Sequence, residues 1–443
     1  MATKTGEPLS DIVQKLMATE EKYTAGTFGS TPGFIVSGKG STLVDVEGRE
    51  IIDFICMLSA TNLGHCHPKM VKAMTDSINK ITLTNFGTHS AEWPLVAKTL
   101  CEKFSYDKCA SMVTGAEAAD AACKFACKWG IRRKGISPEE VLVLGTSHNY
   151  HGVTAGIWPI MDPYSQRDYG VTSKTITNLN PRTGKPLHYG SVQDFEEVLK
   201  EFGNRVAGVI MECIHGHLPT FEEEINFAVG VRQLCRKYNV LFIADEVRMG
   251  SGKTGKFLCS DWMGPDNKPD MVTMGKSITG GSYPASYILG NNDVMGPDMI
   301  KPYETGSTFG MAPAANAATL AALRTYDEEN LLQRASEIGE KFAQITKSWQ
   351  YSFVKYITNR GADVSISINP DNTTVTPRRI ARLCFQRGVF IYPHGDRLRV
   401  GFALTITDEE FDKGMKILKG VLDDAESYGD IPGSIHEAET PRL

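Results

Sequence analysis

A lysine and an acid stand out for what they could do together. VLFIADEV (240–247) is an apolar run that closes on two acids, the first of them Asp245. DMVTMGKSITGG (270–281) is a second apolar run, and it delivers Lys276 into a glycine-bearing turn. A lysine amine can form a Schiff base with an aldehyde, and a carboxylate can keep a ring nitrogen protonated. The pair therefore suits pyridoxal phosphate, with Lys276 on the aldehyde carbon and Asp245 on the pyridinium nitrogen. Taken singly, such residues are more often a surface lysine and a capping acid, so their surroundings must decide.

A phosphate needs donors. TGAEAADAA (114–122) places Gly115 and Ala116 at a strand-to-helix turn, where backbone amides and the helix dipole attract an anion. A plain tight turn is the competing reading. ETGSTFG (304–310) offers Ser307 and Thr308 in a second glycine-flanked loop, and HNYHG (148–152) offers Tyr150 as a ring that could stack on a flat cofactor.

The elements behind these residues alternate. Strands are expected at 110–115, 141–145, 206–213, 240–247, 271–275 and 285–290, with helices over 116–129 and 225–238. Near-continuous apolar strands separated by helices indicate a largely parallel sheet buried on both faces, whose ligands sit beyond the strands' carboxyl ends. Gly115, Asp245 and Lys276 all fall there. Ahead of this region come a helix over 9–22, a hairpin turning at Glu47-Gly48, and helices at 69–80 and 91–103. After Pro313, helical sequence gives way to short strands around a helix at 376–387. The expected fold is α/β: a large domain (61–315) with a mostly parallel central sheet, and a smaller α/β domain assembled from both termini (1–60 and 316–443).

With 443 residues, more than one core is expected. A net charge of −5 without a long basic run argues against nucleic acid as main partner, and no apolar stretch is long enough to span a membrane. Ten scattered cysteines without CxxC pairs suit reduced thiols in the cytoplasm, and no metal site is expected. The N-terminal stretch lacks the apolar core of a secretory signal. The closing Pro-Arg-Leu is a distant variant of a peroxisomal address.

VDVEGREIIDF, GHCHPK, ITLTN, TGAEAADAACKFACKWG, GVRQLCRKYNVLFIADEV, PDMVTMGKSITGGSYPAS, GSTFG and HGDRLRVGFA follow one another in the chain. In that order they resemble the class III, fold-type I pyridoxal-phosphate aminotransferases, those acting on ornithine most of all. The resemblance implies that Lys276 forms the Schiff base and moves the proton, and that Asp245 holds the pyridinium. It implies that Tyr150 and Val247 cover the two ring faces, and that Gly115 and Ala116 hold the phosphate. Thr308, in the loop with Ser307, would reach the phosphate from the neighbouring subunit of a homodimer. Arg399 would clamp a substrate carboxylate, and Glu212 would play a supporting part.

The departures from the family concern the substrate. The arginine that binds an α-carboxylate is Val153 here. Two pocket tyrosines match Phe28 and Leu58, and the acid that pairs with the clamping arginine is His217. The residue after Val247, usually a glutamine facing the phenolic oxygen, is Arg248. A pocket stripped of polar groups rejects a charged side chain. The expected activity is therefore ping-pong transfer of an amino group from a non-ornithine donor, a less polar amino acid or an ω-amine, to a keto acid. The alternative is a racemase, decarboxylase, lyase or aminomutase on the same fold.

Overall fold

The computed structural model describes residues 4, 6–25, 31, 33–85, 87–161, 169–369, 371, 375–429 and 431. The chain forms two compact units, residues 68–332 and residues 1–67 with 333–443. The divisions differ from those expected at 60 and 315. The GHCHP turn stays with the small unit, because His65 bonds Asp53 there. The helix Pro313–Glu328 stays with the large unit, because it packs on the helix Pro68–Ile78.

In the small unit, β1 (Ile35–Lys39), β2 (Thr42–Asp45) and β3 (Glu50–Asp53) form an antiparallel meander, with Gly48 supplying the positive φ of the expected turn. The large unit contributes β4 (Lys108–Met112), β5 (Leu142–Leu144), β6 (Ile176–Thr177), β7 (Val206–Met211), β8 (Leu241–Asp245), β9 (Met271–Met274) and β10 (Ser286–Gly290). The small unit resumes with β11 (Val354–Arg360), β12 (Asp363–Ile368), β13 (Val389–Phe390), β14 (Tyr392–His394) and β15 (Arg397–Gly401). Strand β13 joins the first meander beside β3, and the others pair in the order β11-β12-β15-β14.

The large sheet has the order β4-β10-β9-β8-β7-β5-β6. Pairs from β9 through β6 are parallel, whereas β10 runs antiparallel between β4 and β9. Strand β4 thus shares the direction of β9, and six carboxyl ends open on one edge. Strands β7, β8 and β9 are wholly buried, as their apolar runs require. The helix Gly115–Arg132 lies close on the sheet because its inner face is small. A Cβ at Gly130 would stand 2.6 Å from Ala207 Cβ, and one at Gly208 would stand 3.0 Å from Ala126 Cβ.

Candidate active site

Three strands and one helix deliver the expected residues to one edge of the large sheet. Asp245 closes β8, Glu212 directly follows β7, and Gly275-Lys276 follows β9. Gly115 opens the helix after β4. Thr114 caps that helix in a reciprocal box. Its hydroxyl accepts the Glu117 amide, while Glu117 Oε2 accepts the amides of Val113 and Thr114 at 3.0 and 2.8 Å. Gly115 and Ala116 are left in the first turn, where amides have no intrahelical partner.

Close approaches show that these ends converge. A Cβ on Gly115 would collide with Val247 Cγ1 at 2.7 Å, so Val247 lies directly against this turn. A Cβ on Gly275 would stand 3.4 Å from Val247 and 3.6 Å from Gly115 Cα. A Cβ on Gly152, which has φ +106°, would fall only 2.2 Å from Ala116 Cβ. The loop carrying Tyr150 is therefore packed against the same turn. Lys276 itself is half-buried and holds φ +48°, a left-handed geometry that costs a side-chain-bearing residue roughly 1–2 kcal/mol. Such strain collects where position matters more than stability.

Asp245 is buried and held on both oxygens. Its Oδ1 accepts the Val247 amide at 3.0 Å and the Thr273 hydroxyl at 3.1 Å. Its Oδ2 meets His151 Nδ1 at 2.6 Å, and the imidazole is completely enclosed. Neither Thr273 nor His151 is among the site residues expected from the sequence. The signal available for His151 was its position in the loop after β5, next to Tyr150.

Glu212, also buried, organises the neighbouring loops. Its Oε2 accepts the Tyr150 amide at 3.0 Å, and its own amide donates to Asn149 Oδ1 at 2.9 Å. Arg248 Nε lies 3.6 Å from Glu212 Oε1, and Arg248 Nη2 donates to the carbonyl of His215. Burial pushes the Glu212 carboxyl above its ordinary range, and the Arg248 cation opposes the shift. His217 stacks on His148, with ring centroids 4.4 Å apart. Glu224 Oε1 fixes the turn beneath it by accepting the amides of Gly216, His217 and Leu218 at 2.8, 2.8 and 3.2 Å.

Tyr150 and Val153 remain 43% and 56% exposed, so both can meet a ligand. Ser307 is half-buried and Thr308 exposed, in a loop tied to β4 where Ser111 Oγ donates to Gly310 O. Leu58 and Arg399 belong to the small unit. Leu58 rides a left-handed turn, Cys56 to Ser59 with φ from 46° to 64°. Asp53 Oδ1 braces that turn by accepting the amides of Ile55 and Cys56, both at 2.9 Å. Cys56 Sγ ties it to Gly401 O, at the end of the strand that carries Arg399. Phe28 lies outside the described residues. Among those described, no cluster of three or more His, Cys, Asp or Glu is arranged to hold a metal, and no helix is long and apolar enough to cross a membrane.

The sheet, a lysine and a braced carboxylate at its carboxyl edge, and a small-residue turn at a helix N-terminus together define a fold-type I site for pyridoxal phosphate. Comparison with known proteins makes the assignment specific. Residues 24–422 match the family Aminotransferase class-III, and the chain belongs to it. It is 34% identical to an ornithine aminotransferase of Emericella nidulans over 412 residues, 92% of this chain and 90% of the relative. It is 35% identical to the mitochondrial ornithine aminotransferase of Arabidopsis thaliana, over 93% and 85%. The ornithine aminotransferase structure from Toxoplasma gondii superposes with TM-score 0.84 at 29% identity, covering 93% of this chain and 95% of that one. The acetylornithine aminotransferase of Elizabethkingia anophelis superposes with TM-score 0.79 at 30% identity, covering 93% and 99%. The protein is a class III aminotransferase and uses pyridoxal phosphate.

The residues present fit that cofactor. Val247 leaves no room for a side chain at Gly115, so the helix amides stay open to a phosphate. The Asp245 carboxylate, gripped by three donors, is positioned to hold a cation.

Proposed function

We propose that this aminotransferase takes its amino group from a donor other than ornithine, a less polar amino acid or an ω-amine, and passes it to a keto acid by ping-pong exchange. Bound pyridoxal phosphate supplies the aldehyde that exchanges amines and a ring that withdraws electron density. The chain supplies the rest. Asp245 keeps the ring nitrogen protonated, and His151 and Thr273 hold Asp245 in place. The Gly115 and Ala116 amides bind the phosphate, while Val247 and Tyr150 cover the ring faces. Glu212 fixes the Tyr150 backbone. Lys276 Nζ, once freed by the incoming amine, takes the proton from the donor carbon that bears nitrogen. Val153 and His217, on the large unit, shape the donor's surroundings, and the family pattern alone assigns Arg399 to a carboxylate of donor and acceptor in turn. In a homodimer, the Ser307–Thr308 loop would serve the neighbouring site, in keeping with the exposure of Thr308. A cytoplasmic location accords with scattered cysteines that lack CxxC spacing.

The observation that carries the donor assignment is Val153. It stands exposed on the loop that begins with Tyr150, where the family pattern has a carboxylate-binding arginine. An isopropyl group there offers an apolar surface to the substrate. His217 supports the reading, because its ring is occupied by the stack on His148 and carries no fixed negative charge to neutralise an arginine. The test is a panel of amines and amino acids with and without 2-oxoglutarate or pyruvate, read by product mass. We expect apolar donors to exceed ornithine in kcat/KM by at least about tenfold, the discrimination of a mismatched pocket. Ornithine as the best donor would refute the assignment.

A further inference from the structure

The large unit holds a guanidinium where the family pattern has a neutral amide, and the strand order decides which edge of a bound cofactor would meet it. Asp245 at the end of β8 takes the ring nitrogen. Lys276, following β9, takes the aldehyde carbon. The phosphate turn stands on that same side of β8, since the vacant Cβ position of Gly275 is 3.6 Å from Gly115 Cα. On a pyridoxal ring the phosphate arm and the phenolic oxygen flank the aldehyde carbon on opposite sides. The phenolic edge therefore faces the other way, toward β7. The groups at that end are Glu212 and, reaching back from the loop after β8, Arg248.

Arg248 is a permanent cation, because arginine is not deprotonated in proteins. Its side chain is only 10% exposed, so water screens it weakly. The charged and titratable groups described near it include Glu212, which follows β7, and, interacting with that carboxylate in turn, His215 and the Asp245–His151 pair. Glu212 compensates it in part. Its Nε contact, at 3.6 Å, is an ion pair longer than a hydrogen bond, and the same carboxylate also serves the Tyr150 amide. A cation in this place attracts the negative phenolic oxygen and repels a proton on the adjacent imine nitrogen.

We propose that Arg248 stabilises the phenolate of the bound cofactor and thereby lowers the proton affinity of the Lys276 Schiff base. The consequence is a proton transfer that balances within the site. An incoming amine arrives as an ammonium ion and cannot attack. An unprotonated nitrogen on Lys276 would accept that proton, leaving a neutral amine with a free electron pair beside a protonated nitrogen whose carbon is then more electrophilic. The role is independent of which donor is used, but it rests on the cofactor assignment of Lys276 and Asp245 made above.

The experiment is a pH titration of the bound cofactor's absorbance in the loaded enzyme without substrate, so that no turnover enters the measurement. Arg248→Gln should raise the midpoint by about one unit, a tenfold rise in proton affinity or about 1.4 kcal/mol. Arg248→Lys should restore it, and Glu212→Gln, which removes the opposing charge, should lower it below wild type. An unmoved or lowered midpoint in Arg248→Gln overturns the proposal. If that variant fails to load, a midpoint in Glu212→Gln that stays or rises overturns it equally. Borohydride reduction followed by peptide mapping separates the two layers. Cofactor fixed at a residue other than Lys276 sinks the site assignment, whereas cofactor fixed at Lys276 with an unmoved midpoint sinks only the role of Arg248.

Discussion

Replacing His151 with phenylalanine isolates what the buried imidazole does for Asp245. The contact is short, 2.6 Å, and both side chains are enclosed. A hydrogen bond to a charged partner contributes roughly 1.5–3 kcal/mol, which corresponds to about 10- to 150-fold in an equilibrium constant. The carboxylate would not be stranded, because Val247 N and Thr273 Oγ1 still serve Oδ1. His151 Nε2 meets no hydrogen-bond partner among the described residues, so phenylalanine also removes a buried polar atom. The two effects on folding oppose each other, and the melting temperature of the cofactor-free protein should stay within a few degrees of wild type. Function should not be spared. With Oδ2 free to turn from the ring nitrogen, the cofactor dissociation constant should rise and kcat should fall, each by about tenfold or more. His151→Asn is the control, since its amide nitrogen can occupy the place of Nδ1 and should recover most of the loss. Cofactor fluorescence titration and single-turnover rates read the result. The reasoning is refuted if His151→Phe matches wild type in both, or if asparagine is no better than phenylalanine.

Two further outcomes follow from the same packing and titration arguments. Gly115→Ala places a Cβ 2.7 Å from Val247 Cγ1; overpacking of this kind costs about 1–3 kcal/mol, so cofactor affinity should drop at least about fivefold, and adding Val247→Ala should recover part of it in the same titration. Burial pushes the thiols of Cys109, Cys123, Cys213, Cys235, Cys259 and Cys384 above their ordinary 9.0, and that of Cys127 up to about 11. Above pH 9 the unfolded chain therefore sheds protons that the folded chain retains, so this stabilisation, complete below pH 9, is lost as pH rises through the folded values; urea midpoints should fall from pH 8.5 to 10.5, Cys235→Ala should flatten the slope, and a rising midpoint would contradict the sign.

The cofactor half of the site was legible because its chemistry is local to strand ends. An apolar run that stops at Asp245, another that stops before Lys276, and small residues opening a helix each announce themselves over a few neighbouring positions. What holds Asp245 was not legible. His151 and Asp245 are 94 positions apart, and only the parallel neighbourhood of β5, β7 and β8 brings them to 2.6 Å. The reversal of β10 was hidden for a related reason: a fully buried strand has the same apolar run in either direction. The substrate side shows a different limit. Position 217 is marked in the sequence by a missing acid, which says what the pocket has lost. Its stacking on His148, with the turn below pinned by Glu224, says what replaced it: a planar aromatic surface with a backbone that cannot easily yield. That rigidity matters for the donor. An apolar pocket that could rearrange would still admit a charged side chain by recruiting water or a distant acid. A wall whose amides are already committed to a buried carboxylate has less of that freedom, and under the donor assignment proposed above this is what would disfavour a diamino acid.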